Sequence, residues 1–179
     1  MSFPSTDVRP AAVLIGSMGA GKSSVGHALA RRFGVTFRDT DEDIENRSGT
    51  SISDLFVSNG EPHFRELELE AVRDALSEHT GVLALGGGAP MQPAVAALLA
   101  GHRVVFLDVG LAEAVRRVGL GTSRPLLLGN VRGQLRARLE ERRPVYEALA
   151  WLTIEVDTAT VDDIAAAIAV ELERAEVAR

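Results

Sequence analysis

The stretch Gly16-Ser-Met-Gly-Ala-Gly-Lys22-Ser23 constrains this chain more than any other. It follows the apolar run Ala11-Ala-Val-Leu-Ile15 and opens onto a helical pattern (Val25, Leu29, Ala30, Phe33) that stops at Gly34. Strand, glycine loop and helix together make G-x-x-x-x-G-K-[ST] a phosphate cradle rather than a capped turn. Backbone N–H groups turn inward around the phosphates, and the helix N-terminus adds partial positive charge at the same spot. The nucleotide-binding set expected from the motif is Gly19, Ala20, Gly21, Lys22, Ser23 and Ser24. Within it Lys22 reaches the β- and γ-phosphates, and the Ser23 hydroxyl ligates Mg²⁺. Of the 19 basic residues, Lys22 is the only lysine. A compact ammonium fits inside a loop wrapped around phosphate, where a planar guanidinium does not.

At 179 residues the chain is expected to be a single domain with a sizeable core. A net charge of −6, with scattered arginines, argues against a polyanionic nucleic-acid partner. Absence of cysteine removes disulfides and thiolate metal sites. Residues 1–10 are polar and lack an apolar core segment, so they read as a flexible tail and not a signal peptide. No apolar run approaches the ~20 residues needed to cross a bilayer. A soluble, cytoplasmic protein that touches no membrane is the expectation.

Strand-like runs alternate with helical patterns, which predicts a parallel sheet covered by helices. The expected strands are Ala11–Ile15, Val35–Arg38, Val82–Leu85, Arg103–Asp108 and Leu152–Val156. The expected helices are the one after the cradle, then Asp41–Arg47, Ile52–Ser58 (capped by Ser51 or Ser53), and Pro62 to about His79. Further helices are expected at Gln92–Ala100, Leu111 to about Val118, Val131–Leu149 with a break or turn near Pro144, and Val161–Val177. The glycine-flanked segment Gly119–Asn130, with no clear period, suits a mobile lid. The class is α/β: a three-layer P-loop sandwich on a five-stranded parallel sheet.

A guanine-reading switch GTPase needs N-K-x-D and so a second lysine, which is absent. A motor ATPase would want Asp-Glu ending a hydrophobic strand, and the candidates here end in Gly86-Gly-Gly or Asp108-Val-Gly. A small-molecule kinase and a non-catalytic nucleotide-binding protein remain. The polar residues that matter should lie after the carboxyl ends of the strands. Asp39 and Asp41, one residue apart, point the same way in extended backbone and need a metal or proton beside a triphosphate. One of the two also suits an N-cap for the next helix. Gly86, Gly87 and Gly88 allow a ligand close to the backbone, at an entropic cost that a plain turn does not require. Arg65 has helical partners in Glu61 and Glu68, Arg142 lies in a charge run, and Arg124 sits in the lid, where a cation can meet a transferring phosphoryl group.

Gly16-x-x-Gly-x-Gly-Lys-Ser, Asp39-Thr-Asp-x-x-Ile-Glu45, Gly60-Glu-x-x-Phe-Arg-x-x-Glu68, Leu85-Gly-Gly-Gly-Ala89, Arg124-Pro-Leu-Leu127 and Arg142-x-Pro-x-Tyr146 stand in the order and spacing of shikimate kinase. The chain resembles that family over roughly residues 11–158. The resemblance implies ATP-dependent phosphorylation of the shikimate 3-hydroxyl, a step of aromatic amino-acid biosynthesis, with Mg²⁺ as cofactor. It implies that Asp41 binds the substrate hydroxyls and acts as base, and that Asp39 supports Mg²⁺ from its outer shell. Arg65, Arg142 and the backbone at Gly86, Gly87 and Gly88 are implied as the shikimate set, with Glu68 orienting Arg65. It further implies Arg124 on the phosphates, Arg117 stacked on adenine, and Phe56 with Phe64 as an apolar wall. The substrate-binding region is expected over residues 39–68, and the protein as a monomer taking shikimate and ATP. Asp157-Thr-Ala-Thr160 is short and proline-free where the family commonly carries an adenine loop. A gluconate-type kinase and a nucleotide-binding regulator are the competing readings.

Overall fold

The computed structural model describes residues 8–119 and 128–178. Strands β1 (Ala12–Ile15), β2 (Phe37–Asp39), β3 (Val82–Ala84), β4 (Val104–Asp108) and β5 (Leu152–Glu155) form one sheet. Their order is β2-β3-β1-β4-β5, and every pairing is parallel. The described helices are α1 (Lys22–Phe33), α2 (Thr40–Ser48), α3 (Ile52–Glu78), α4 (Pro93–Leu98), α5 (Leu111–Gly119), α6 (Leu128–Leu149) and α7 (Val161–Val177). This is the expected α/β sandwich of three layers.

The central strands are buried on both sides, which explains why they read as unbroken apolar runs. Ala12 and Leu14 pack with Leu29 of α1 and Ile168 of α7 on one face. Val13 and Ile15 pack with Val72 and Leu76 of α3 and Tyr146 of α6 on the other. Ile44, Leu55, Phe64 and Ala71 form a smaller core between α2 and α3. β1 and β3 are neighbours, and Leu85 N–H donates to Leu14 O at 3.1 Å. The cradle after β1 and the glycines after β3 therefore leave the sheet side by side, where such sheets place ligands.

Several boundaries differ from expectation, each for a local reason. α3 runs through the point where two helices were expected, but Gly60 at φ 81° and ψ 168° is not helical. Two segments meet there, the second opening at Pro62, and Ser51 rather than Ser53 caps the first by accepting from Asp54 N–H. α4 is shorter than the expected 92–100. Ala100 N–H closes a tighter bond to Ala97 O (3.3 Å), and the regular helix stops at Leu98. α6 continues through Pro144 instead of breaking: the carbonyl that proline leaves without a donor belongs to Glu140, on an exposed stretch that water reaches. The described part of α6 already includes Leu128, upstream of the expected Val131, and α5 is described as far as Gly119. The rest of the expected lid, including Arg124, lies outside the described residues, as do residues 1–7 of the expected tail.

Candidate active site

The cradle begins where β1 ends. Gly21 caps α1 in the left-handed region at φ 85°, a conformation that places the N–H groups of the first helical turn around one point. Lys22 folds back over the loop, its Nζ donating to Gly16 O at 2.7 Å and Ser17 O at 3.4 Å. Burial pulls the ammonium pKa down, while Asp41 and Asp39 oppose that shift. Arg117 straps the outside of the loop. Its Nη1 donates to Gly19 O (3.1 Å) and Ala20 O (3.3 Å), its Nη2 to Val156 O (3.0 Å), and its Nε to Glu113 (2.6 Å). The resulting chamber, about 360 Å³, is lined by Lys22, Ser23, Ser24, Asp39, Asp41 and Arg117 among others.

Asp39 and Asp41 share this chamber, but not through the extended geometry expected of them. Asp39 ends β2 at φ −123° and caps α2, its Oδ1 accepting from Asp41 N–H at 2.9 Å. Its other oxygen accepts from Ser23 Oγ at 3.3 Å. Asp41 belongs to the first turn of α2, and the helix, not a pleat, turns its carboxylate toward the same chamber. Thr40 between them is fully buried and accepts from Gly86 N–H at 3.3 Å, tying the start of α2 to the loop after β3. Burial first, then repulsion from Asp39 and Glu68, pushes the Asp41 carboxyl up to about 6, against the pull of Lys22.

A second chamber, about 280 Å³, adjoins the first and shares Met18, Lys22 and Asp41 with it. Each of the three glycines lies against charged side chains, Gly86 against both Asp41 and Glu68. A Cβ at Gly86 would lie 2.5 Å from Asp41 Oδ1, at Gly87 3.1 Å from Arg142 Nη1, and at Gly88 2.5 Å from Arg65 Nη1. Crowding, not turn geometry, favours the triple glycine, most strongly at Gly86 and Gly88. Arg65 Nη1 donates to Glu68 at 2.6 Å, and its Nη2 donates to Glu61 at 3.1 Å. Glu68 is fully buried; burial raises its pKa, and Arg65 and Gln92 hold it back. Gln92 Nε2 donates to the same Glu68 oxygen at 2.7 Å. Phe56 and Phe64, with ring centroids 4.6 Å apart, form the apolar wall.

Arg142 lines this chamber, while its neighbour Arg143 turns away to a two-bond pair with Asp108 (2.6 and 2.7 Å). The charge run therefore divides between chamber and surface. Tyr146, one turn on, donates from its buried hydroxyl to Gly87 O at 2.6 Å and braces the glycine loop from behind. The short loop after β5 is anchored by Asp157, which accepts from Gly110 N–H at 2.7 Å. Lys22, Ser23, Asp39, Asp41, Arg65, Gly86, Gly87, Gly88, Arg117 and Arg142 are all brought to the two chambers. Sequence reasoning missed Gln92, 24 residues from Glu68, and Arg138, which lines the second chamber. No local pattern marks Gln92, whereas Arg138 stands four residues before Arg142 in the expected helix, a spacing that shares a helix face.

A sequence model of the family described as shikimate kinase matches residues 18–173. The chain belongs to the shikimate kinase family. It is 56% identical to shikimate kinase of Thermobifida fusca over 164 residues, 92% of this chain and 95% of that protein. It is 52% identical to shikimate kinase of Streptomyces coelicolor over 168 residues, 93% of this chain and 98% of that one. Among solved structures, shikimate kinase from Acinetobacter baumannii in complex with shikimate superposes with a TM-score of 0.85 at 34% identity, covering 93% of this chain and 94% of that one. The chain is therefore an ATP-using kinase that phosphorylates shikimate in aromatic biosynthesis.

Proposed function

We propose that phosphoryl transfer to the shikimate 3-hydroxyl takes place at the seam between the two chambers, with Lys22 and Asp41 the groups that face both. The supporting observation is that shared wall: a donor phosphate in the cradle and an acceptor hydroxyl beside the glycines would meet there. Lys22 exchanges its loop carbonyls for the β- and γ-phosphates of ATP and neutralises charge as it moves between them. Asp41, poised near 6, is ionised at neutral pH yet basic enough to orient the hydroxyl and take its proton. Arg65 and Arg142 hold the carboxylate by forked pairing, Arg65 in the pose that Glu68 and Gln92 set. Arg124 is assigned the cation that meets the phosphoryl group, and Arg117 stacks on adenine.

The cradle fits Mg²⁺ as the companion of ATP. Ser23 Oγ and Asp39 lie together on the chamber floor, and among the described residues no cluster of three or more His, Asp or Glu competes as a cage. A hard cation that keeps waters and phosphate oxygens needs only such a partial protein set. Bound there, it would offset phosphate charge. We further propose a monomer acting in the cytoplasm. One chain lines both chambers, and no described helix is long and apolar enough to cross a membrane.

The test is coupled ADP release with Mg·ATP and a panel containing shikimate, gluconate and neutral polyols. Shikimate is expected to dominate. Arg142→Ala should raise its KM by a factor of tens to thousands, the roughly 2–5 kcal/mol of a broken charge pair, and leave the ATP KM nearly unchanged. A polyol turned over as fast as shikimate, and indifferent to Arg142→Ala, would overturn the assignment.

A further inference from the structure

Arg138 lies one helical turn before Arg142 on α6, and both line the acceptor chamber. Side chains at this spacing share a helix face. Arg138 is exposed and makes no hydrogen bond or ion pair among the described residues. It does not line the phosphate chamber, so its charge is directed to the acceptor side alone.

The charges of that chamber give Arg138 its significance. Arg65 is bonded to Glu61 and Glu68, and Lys22, which lines both chambers, is set against the ATP phosphates in the proposed function. Of the remaining lining charges, Arg65 and Arg142 stand against Glu68 and Asp41, which leaves no net charge to favour an anion. The whole protein, at −6, repels one. Arg138 tips the chamber positive by one charge, the complement of a single carboxylate.

We propose that Arg138 is a specificity-determining residue: a third guanidinium at the chamber mouth that draws in and holds the substrate carboxylate alongside Arg65 and Arg142. This rests on the assignment of the chamber to shikimate. An exposed cation acts mainly on encounter and ground-state binding and is screened by salt. Its effect is therefore on kcat/KM for the acid rather than on kcat.

The test compares wild type with Arg138→Met, which keeps the apolar stem, and Arg138→Lys, which keeps the charge. For shikimate at low ionic strength, Arg138→Met should lose about 3- to 10-fold in kcat/KM, with kcat and the Mg·ATP KM little changed. The loss should shrink toward nothing in ~0.5 M salt, where screening acts within a few ångströms, and Arg138→Lys should restore most of it. The carboxamide analogue of shikimate should show no difference between wild type and Arg138→Met. An equal loss with acid and amide, a loss in the Mg·ATP KM instead, or no loss at low salt would each overturn the proposal. Wild-type turnover of shikimate in the same assay separates the two readings. If it is absent, the chamber assignment fails; if it is present without an Arg138 effect, only this inference fails.

Discussion

Asp41 is tuned for chemistry at the expense of the fold. A carboxyl raised from 3.8 to about 6 binds its proton more tightly in the native state than in the unfolded chain. Stability is therefore undiminished below the unfolded value, falls as pH rises from about 4 to 6, and stays lowered above that. Asp41→Asn should raise Tm at pH 7, by the equivalent of about 1–3 kcal/mol, with the gain fading on acidification and gone below about pH 4. The same substitution should cut kcat by on the order of 10²-fold or more, and by more than it raises the shikimate KM. Thermal melts from pH 3.5 to 8 beside steady-state rates decide it; a variant melting lower than wild type at pH 7 would contradict the burial and the repulsion from Asp39 and Glu68 that raise the carboxyl. In the wild type, kcat/KM for shikimate should rise with pH through about 6 as Asp41 ionises.

The loop after β3 works at the scale of whole elements. It lies between α2, the second half of α3, and α6, and meets charged side chains from each: Asp41, Arg65 with Glu68, and Arg142. Gly88→Ala would place a Cβ 2.5 Å from Arg65 Nη1, and the guanidinium must leave its pose on Glu68. We expect a rise of about tenfold or more in the shikimate KM with the ATP KM and the far-ultraviolet spectrum unchanged. Kinetics with both substrates varied would expose the alternative, an equal loss for nucleotide and acid, which would mean that the loop serves the sheet and not the chamber. Cradle and loop can be so close because the β1–β3 pairing leaves both at one end of the sheet.

For the whole molecule, the lone lysine offers a direct reading of which chamber takes the nucleotide. Lys22 and the α-amino group are the only amines. Saturating Mg·ATP should protect Lys22 from amine labelling, read by peptide mass, whereas shikimate alone should leave its rate within about twofold, because the acid's carboxylate is expected on Arg65 and Arg142 rather than on the ammonium. Unaltered labelling under Mg·ATP would refute the cradle.

Much of the fold is local chemistry and was legible in the chain. Apolar runs bounded by glycine became buried parallel strands, Ser51 and Gly21 mark helix starts, and Gly60 with Pro62 separates two helical segments. The cradle motif carries its own setting, strand, loop and helix, between Ala12 and Phe33. Pro144 marks the limit of local rules, since a helix with an exposed flank tolerates a lost hydrogen bond that the sequence alone reads as a break.

The chamber depends on contacts between distant segments. Gln92 reaches Glu68 across 24 residues, Tyr146 reaches Gly87 across 59, and Arg117 reaches Gly19 across 98. Arg142 and Arg143 are indistinguishable in their charge run until packing turns one to the chamber and the other to Asp108. The sequence by itself determined which residue types and backbone turns this protein brings to phosphate, because strand, loop and helix are made by neighbours along the chain. Only the tertiary structure decided which charges face one another, because burial, pKa and ion pairing depend on distances that the sheet order sets.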